Sequence, residues 1–155
     1  MRHVRYGIEI QAPVDIVWRE LSSVAAFPAW NPYIRQVDGT LKPGAHVRIR
    51  LKPPKGPALI LRARLVKLEP QRELRWRGWV GIPGLLHREQ VFILQPKGEQ
   101  RTRLEQREVV SGILVYVLRH FGFLDSLELG LEAMGYGMKS RCEMLACTGR
   151  SIGAA

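Results

Sequence analysis

The sequence predicts one α+β domain in which a curved antiparallel sheet carries a long C-terminal helix on one face. Two changes of period carry this reading. From Leu41 to about Val110, apolar residues recur at every second position in runs separated by short turns. Beyond "GFLD" the spacing lengthens to three and four: Leu127, Leu131, Met134, Met138, Cys142 and Leu145 form a helical stripe running to about Ala146. The 155 residues suit a single domain, placed at residues 1–150, with 151–155 as a disordered tail.

The first strand is "HVRYGIEIQ", with Val4, Tyr6, Ile8 and Ile10 on one face. Pro13 suits the first turn of a helix, and Val14, Val17, Trp18 and Leu21 give that helix an apolar side. "SSVAAFPAWNPYIRQVDG" reads as irregular, because Pro28 and Pro32 force extended or turn backbone before them. In "AHVRIRLK", Ala45, Val47, Ile49 and Leu51 oppose His46, Arg48, Arg50 and Lys52. "PPKGP" is a turn and "ALILRARLVKLE" the next strand. In "LRWRGWVG", Leu74, Trp76, Gly78 and Val80 face away from Arg75, Arg77 and Trp79. "IPG" turns the chain into "EQVFILQ". "PKGEQ" then loops to "RTRLEQREV", whose Thr102, Leu104, Gln106 and Glu108 share a face. Such short connections predict an antiparallel meander. "GILVYVLRHF" is apolar enough to be buried, and "GFLD" kinks or breaks the helical tail.

Composition narrows the function classes. With 46% hydrophobic and 25% charged residues, this is ordinary globular material. The 24 Lys+Arg against 14 Asp+Glu give a net charge of +10, which permits contact with nucleic acid or anionic lipid without establishing either. No run reaches membrane-spanning length, and "MRHVRYGIEI" lacks the apolar core of a secretory signal, so a cytoplasmic location is the default. Cys142 and Cys147 fall on different helix faces, predicting reduced thiols rather than a zinc clamp or local disulfide. His3, His46, His87 and His120 show no metal-ligand spacing, and no phosphate loop or nucleophile elbow appears. No metal or cofactor is expected.

The long helix contains "GLEAMGYGMK", in which Gly130, Gly135 and Gly137 each cost roughly 1 kcal/mol relative to alanine. Gly130 and Gly137 fall on one flank of the apolar stripe and Gly135 on the other, with Met134 and Met138 between. Either the helix backbone approaches the sheet closely, or volume is left beside it for a ligand against adaptable methionines.

"APVDIVWREL", "FPAWNPYI", "ELRWRG", "EQVFILQP", "TRLEQREVVSGIL" and "GLEAMGYGMKSRCE" together resemble, in order and spacing, the START-like superfamily, specifically its polyketide-cyclase/dehydrase-like branch. The resemblance implies a helix-grip fold: the curved antiparallel sheet wraps the C-terminal helix, and two small helices follow the first strand. It also implies an elongated apolar cavity between sheet and helix, which favours the ligand reading of the glycines. The branch often carries Asn where Gly135 stands and His where Gln90 stands; if those groups hold a ligand in relatives, the polar contacts here must differ.

On that fold the less charged strand faces turn inward. The expected ligand-binding residues are Trp30 and Tyr33 at the mouth, with Trp76, Gln90, Phe92, Leu104, Gln106, Glu108, Met134 and Met138 lining the cavity. Glu108 is the one catalytic candidate: an inward carboxyl among apolar neighbours would have a raised pKa, unless it accepts amide hydrogen bonds at its strand end. His87, just after "IPGLL", would edge the cavity. Arg48, Arg50, Lys52, Arg62, Arg64, Arg75 and Arg77 form a basic outer patch if their strands are neighbours. The leading function is binding or carriage of a small hydrophobic or aromatic molecule, or a lipid. An aromatase/cyclase acting on a polyketide-like substrate is the alternative. A third reading uses the basic face on anionic membrane or RNA, with nucleic acid disfavoured because exposed aromatics are few. A monomer or a homodimer fits equally.

Overall fold

The computed structural model describes residues 1–153. Strand β1 (Arg2–Ile10) leads to helix α1 (Val14–Ser22), where the Pro13 carbonyl accepts the first amides, from Ile16 at 3.1 Å and Val17 at 3.2 Å. A 3-10 turn (Val24–Ala26) and the short helix α2 (Phe27–Trp30) follow. The remaining strands are β2 (Ile34–Asp38), β3 (His46–Leu51), β4 (Leu59–Glu69), β5 (Glu73–Val80), β6 (Leu86–Gly98) and β7 (Arg101–Ser111). Helix α3 (Leu114–Leu118), a second 3-10 turn (Arg119–Phe121) and α4 (Phe123–Gly153) complete the chain. All seven strands join one antiparallel sheet in the order β1-β7-β6-β5-β4-β3-β2. The predicted meander is therefore β2 to β7, and β1 returns to pair with the last strand. The helix-grip architecture and both small helices are present.

The concave face takes every second residue. Trp76 on β5, Arg88, Gln90, Phe92 and Leu94 on β6, and Thr102, Leu104, Gln106, Glu108 and Val110 on β7 are buried. Opposite them lies the α4 stripe of Leu127, Leu131, Met134, Met138 and Cys142, also buried. Leu145 is only half-buried and Ala146 replaces it in the core.

Three local expectations change, and one open alternative is decided. Residues 34–38, read as irregular, form an edge strand because they pair with β3. "GILVYVLRHF" is buried only in part: Val115 enters the core, whereas Ile113, Tyr116, Val117 and Phe121 are exposed. Gly122, at φ 70°, separates its last turn from α4, so the tail breaks rather than kinks. Finally α4 continues through Gly153, past the expected end near Ala146. Residues 154–155 of the expected tail lie outside the described residues. Among the described residues no helix is long and apolar enough to cross a membrane.

Cys142 sits fully buried, its thiol 3.4 Å from the Met138 sulfur. Burial, and secondarily the Glu20 carboxylate, push its pKa up to about 12. The thiolate is the reactive form, so Cys142 should resist iodoacetamide at neutral pH in the folded protein and label fully in denaturant. Peptide mass spectrometry reads both; rapid native labelling would mean that α4 lifts from the sheet.

Candidate functional site

The site is built on β5, β6 and β7, which place three inward polar side chains in a row. Gln90 stands opposite both Trp76 and Glu108 across the ladders, and Arg88 lies one inward position further along β6. Trp76 donates its indole N–H to Gln90 Oε1 at 2.5 Å and meets Phe92 edge to face, with ring centroids 5.4 Å apart. Gln106 donates from Nε2 to the Leu131 carbonyl of α4 at 2.9 Å, tying sheet to helix.

Tyr33 completes the cluster from the other side of the fold. The Asn31 side chain accepts amide hydrogen bonds from Tyr33 at 3.0 Å and Ile34 at 2.9 Å, an Asx-type turn that directs Tyr33 inward before β2 begins. Its hydroxyl donates to Glu108 Oε2 at 3.1 Å and accepts from Arg88 Nη2; the same guanidinium nitrogen pairs with Glu108 Oε1. Tyr33, Arg88 and Glu108 are each no more than 1% exposed. Glu108 is thus an ion-paired carboxylate, neither isolated among apolar groups nor capping the amides after β7. Tyr33 is fully buried under α4 rather than at a mouth. Trp30 is half-buried at the margin, packed edge-on against Phe27 at 5.2 Å.

The glycines belong to this arrangement. A Cβ on Gly130 would lie 2.7 Å from the Tyr33 ring, one on Gly135 2.7 Å from the Tyr6 ring, and one on Gly137 2.6 Å from the Trp30 carbonyl oxygen. Close approach of α4 is what they permit. Leu104, Met134 and Met138 are buried in the same core.

The cluster is incompletely satisfied. Arg88 Nε and Nη1, Gln90 Nε2 and Gln106 Oε1 are buried without a hydrogen-bond partner. Each such group costs about 1–3 kcal/mol when left unmet, more if charged. The leftover groups are mainly donors, so the arrangement suits acceptor oxygens of a guest. Sequence reasoning missed Arg88. The signal was there: it precedes Gln90 by two, so alternation turns it inward, but its charge argued for the outer face.

The outer face carries the basic residues. β3, β4 and β5 are adjacent, placing Arg48 opposite Arg62 and Arg64 opposite Arg77. Arg50 lies opposite Ile60, Arg75 opposite Lys67, and Lys52 at the end of β3 donates to the Gly56 carbonyl. His87 faces this side too, accepting the Gly84 amide at 2.7 Å, and does not edge the concave face. Among the described residues no group of three or more His, Cys, Asp or Glu is placed to hold a metal ion.

The Zhui aromatase/cyclase from Streptomyces sp. R1128 superposes with a TM-score of 0.74 at 18% identity, over 92% of this chain and 93% of that one. A START superfamily protein from Mycobacterium smegmatis gives 0.69 at 18%, over 92% and 98%. A hypothetical protein from Helicobacter pylori gives 0.75 at 16%, over 91% and 88%. At such identities the likeness establishes the fold alone. Comparison with curated proteins gives no match. The sequence profile described as "Polyketide cyclase / dehydrase and lipid transport" matches residues 1–138, and the chain belongs to that family.

Proposed function

We propose that this protein binds and carries a small hydrophobic or aromatic molecule, or a lipid, between the concave face and α4, gripping it by acceptor oxygens. One observation carries the reading: the buried, unmet donors at Arg88 Nε, Arg88 Nη1 and Gln90 Nε2. Glu108 already neutralises Arg88, so a neutral carbonyl or ether oxygen completes the cluster without adding buried charge, whereas an anionic head would leave an excess. Aromatic faces of Trp76 and Phe92 beside that point suit a flat, apolar body. Met134 and Met138 provide unbranched side chains that can rearrange around it.

Native mass spectrometry with anthraquinone and anthracene tests this. The ketone should bind about tenfold more tightly, the worth of roughly one net hydrogen bond. Equal uptake, or none of either, would overturn the proposal.

A second reading, cyclase or dehydratase chemistry, is favoured by the contact of the Tyr33 hydroxyl with Glu108 beside the guanidinium: proton donor, acceptor and carbonyl-polarising group in one cluster. Tyr33→Phe, which removes the hydroxyl but leaves the Arg88–Glu108 pair in place, separates the two. A carrier should retain ligand affinity, whereas a cyclase should stop releasing water from a bound β-polyketone.

A further inference from the structure

On the outer face the cations divide into two populations. Toward β5, β6, β7 and β1 they are matched with carboxylates: Arg75 with Glu73 at 2.7 Å, Arg77 with Glu89 at 2.9 Å, Arg107 and Arg5 with Glu105 at 2.8 and 2.6 Å. Toward β3 and β4, Arg48, Arg62 and Arg64 form no ion pair among the described residues, although Arg48 and Arg62 stand directly opposite one another. Like charges in register oppose sheet pairing. A face kept merely soluble would intersperse its signs there as it does two strands away. Asp38 on β2 stands opposite Arg48 and lines the second depression, but its Oδ1 accepts from Gln36 at 2.9 Å and it forms no ion pair with Arg48, so a single carboxylate there faces three arginines.

Trp79 sits among these arginines, opposite Arg62 on one side and His87 on the other. It is half-buried and forms the shared wall of two adjoining depressions, of about 580 and 600 Å³. Arg64 also lines both; Arg48 and Arg62 line the second. Each depression is of small-molecule size.

We propose that this outer groove is a second ligand site, separate from the concave face, for a nucleotide-like molecule: a flat ring stacked on Trp79 with phosphates on Arg48, Arg62 and Arg64. Aromatic ring and guanidinium fork are the two groups that such a molecule needs. One platform fits one ring. A nucleic-acid strand would call for successive platforms, and the depressions are lined by one large ring, Trp79, with the small His87 imidazole beside it held by the Gly84 amide. A membrane would call for several apolar residues to insert together; of the large exposed ones only Val66 lines a depression, Ile82 lies in the β5–β6 turn, and Ile113, Tyr116, Val117 and Phe121 lie on the α3 segment.

Isothermal titration at low salt would compare ATP, tripolyphosphate and a short oligouridylate on the native protein, Trp79→Leu and Arg62→Gln/Arg64→Gln. ATP should bind, and Trp79→Leu should weaken it about tenfold while leaving tripolyphosphate unchanged. The arginine pair should lose both ligands, and binding should fall as salt rises. Unchanged thermal melting of the variants would confirm that they fold. ATP binding that is indifferent to Trp79→Leu would reduce the groove to a general anion patch and overturn the proposal. So would an absence of binding, or an oligouridylate bound far more tightly at the same residues. None of these outcomes bears on the concave face.

Discussion

Glu108→Ala is expected to destabilise the protein by about 3–5 kcal/mol, among the largest effects of any single substitution outside the main apolar core. The cause is what remains. Arg88 is 1% exposed, its nearest counter-charge is Glu108, and Nε and Nη1 already lack partners. Removing the carboxylate leaves a guanidinium buried with only the Tyr33 hydroxyl beside it. Arg88→Met should cost a similar amount by stranding Glu108. The double variant Arg88→Met/Glu108→Leu should recover most of the loss, because apolar replacement of a whole buried ion pair is often neutral or stabilising. Tyr33 would then be the orphan, worth about 1–3 kcal/mol, and Tyr33→Phe in that background should recover it. Urea unfolding at constant m-value reads the series, and the coupling appears as strong non-additivity. The triple variant should fold yet lose the preference for anthraquinone over anthracene, separating the cluster's role in recognition from its effect on stability. Single variants that each cost under about 1 kcal/mol would mean that solvent reaches the pair.

That cluster also marks where the sequence stops being legible. Alternation in β5 and β7 places Trp76, Gln106 and Glu108 on the inner face, because a half-buried strand cannot change faces without exposing its apolar set. The identity of each partner is another matter. Glu108 meets Tyr33 and Arg88 from distant parts of the chain, and no local pattern encodes such a meeting. β2 illustrates a different failure. Ile34 and Val37 are buried across a register shift between Ile34 and Gln36, so the strand never shows the period of two that identifies its neighbours. The α3 segment fails in the opposite sense: its residues are apolar, but composition cannot say whether anything covers them, and Ile113, Tyr116 and Phe121 stay exposed. The glycines of α4 announced that something lay close to the helix. Only the fold distinguishes an aromatic ring from a ligand there.

Gly137→Ala therefore tests the helix most sharply. In an unencumbered helix the substitution should stabilise by up to about 1 kcal/mol, through backbone entropy alone. Gly149 provides that reference: it lies in the same helix, exposed, with nothing within 4 Å of an added Cβ, and Gly149→Ala should show the gain. At Gly137 the added atom would stand 2.6 Å from the Trp30 carbonyl oxygen, a backbone atom at the end of α2 that no rotamer change can move aside. Overpacking of this kind costs about 1–3 kcal/mol and outweighs the helix gain. Gly130→Ala meets the Tyr33 ring instead, at 2.7 Å, and the ring is held by Arg88 and Glu108. Its penalty should consequently shrink in the triple variant, where Phe at position 33 has no polar anchor, while the Gly137→Ala penalty should not change. Thermal unfolding of the three alanine variants in both backgrounds measures all of this. Equal stabilisation at positions 130, 137 and 149 would mean that α4 stands off from α2 and Tyr33. The glycines would then leave room beside the helix, returning them to the ligand.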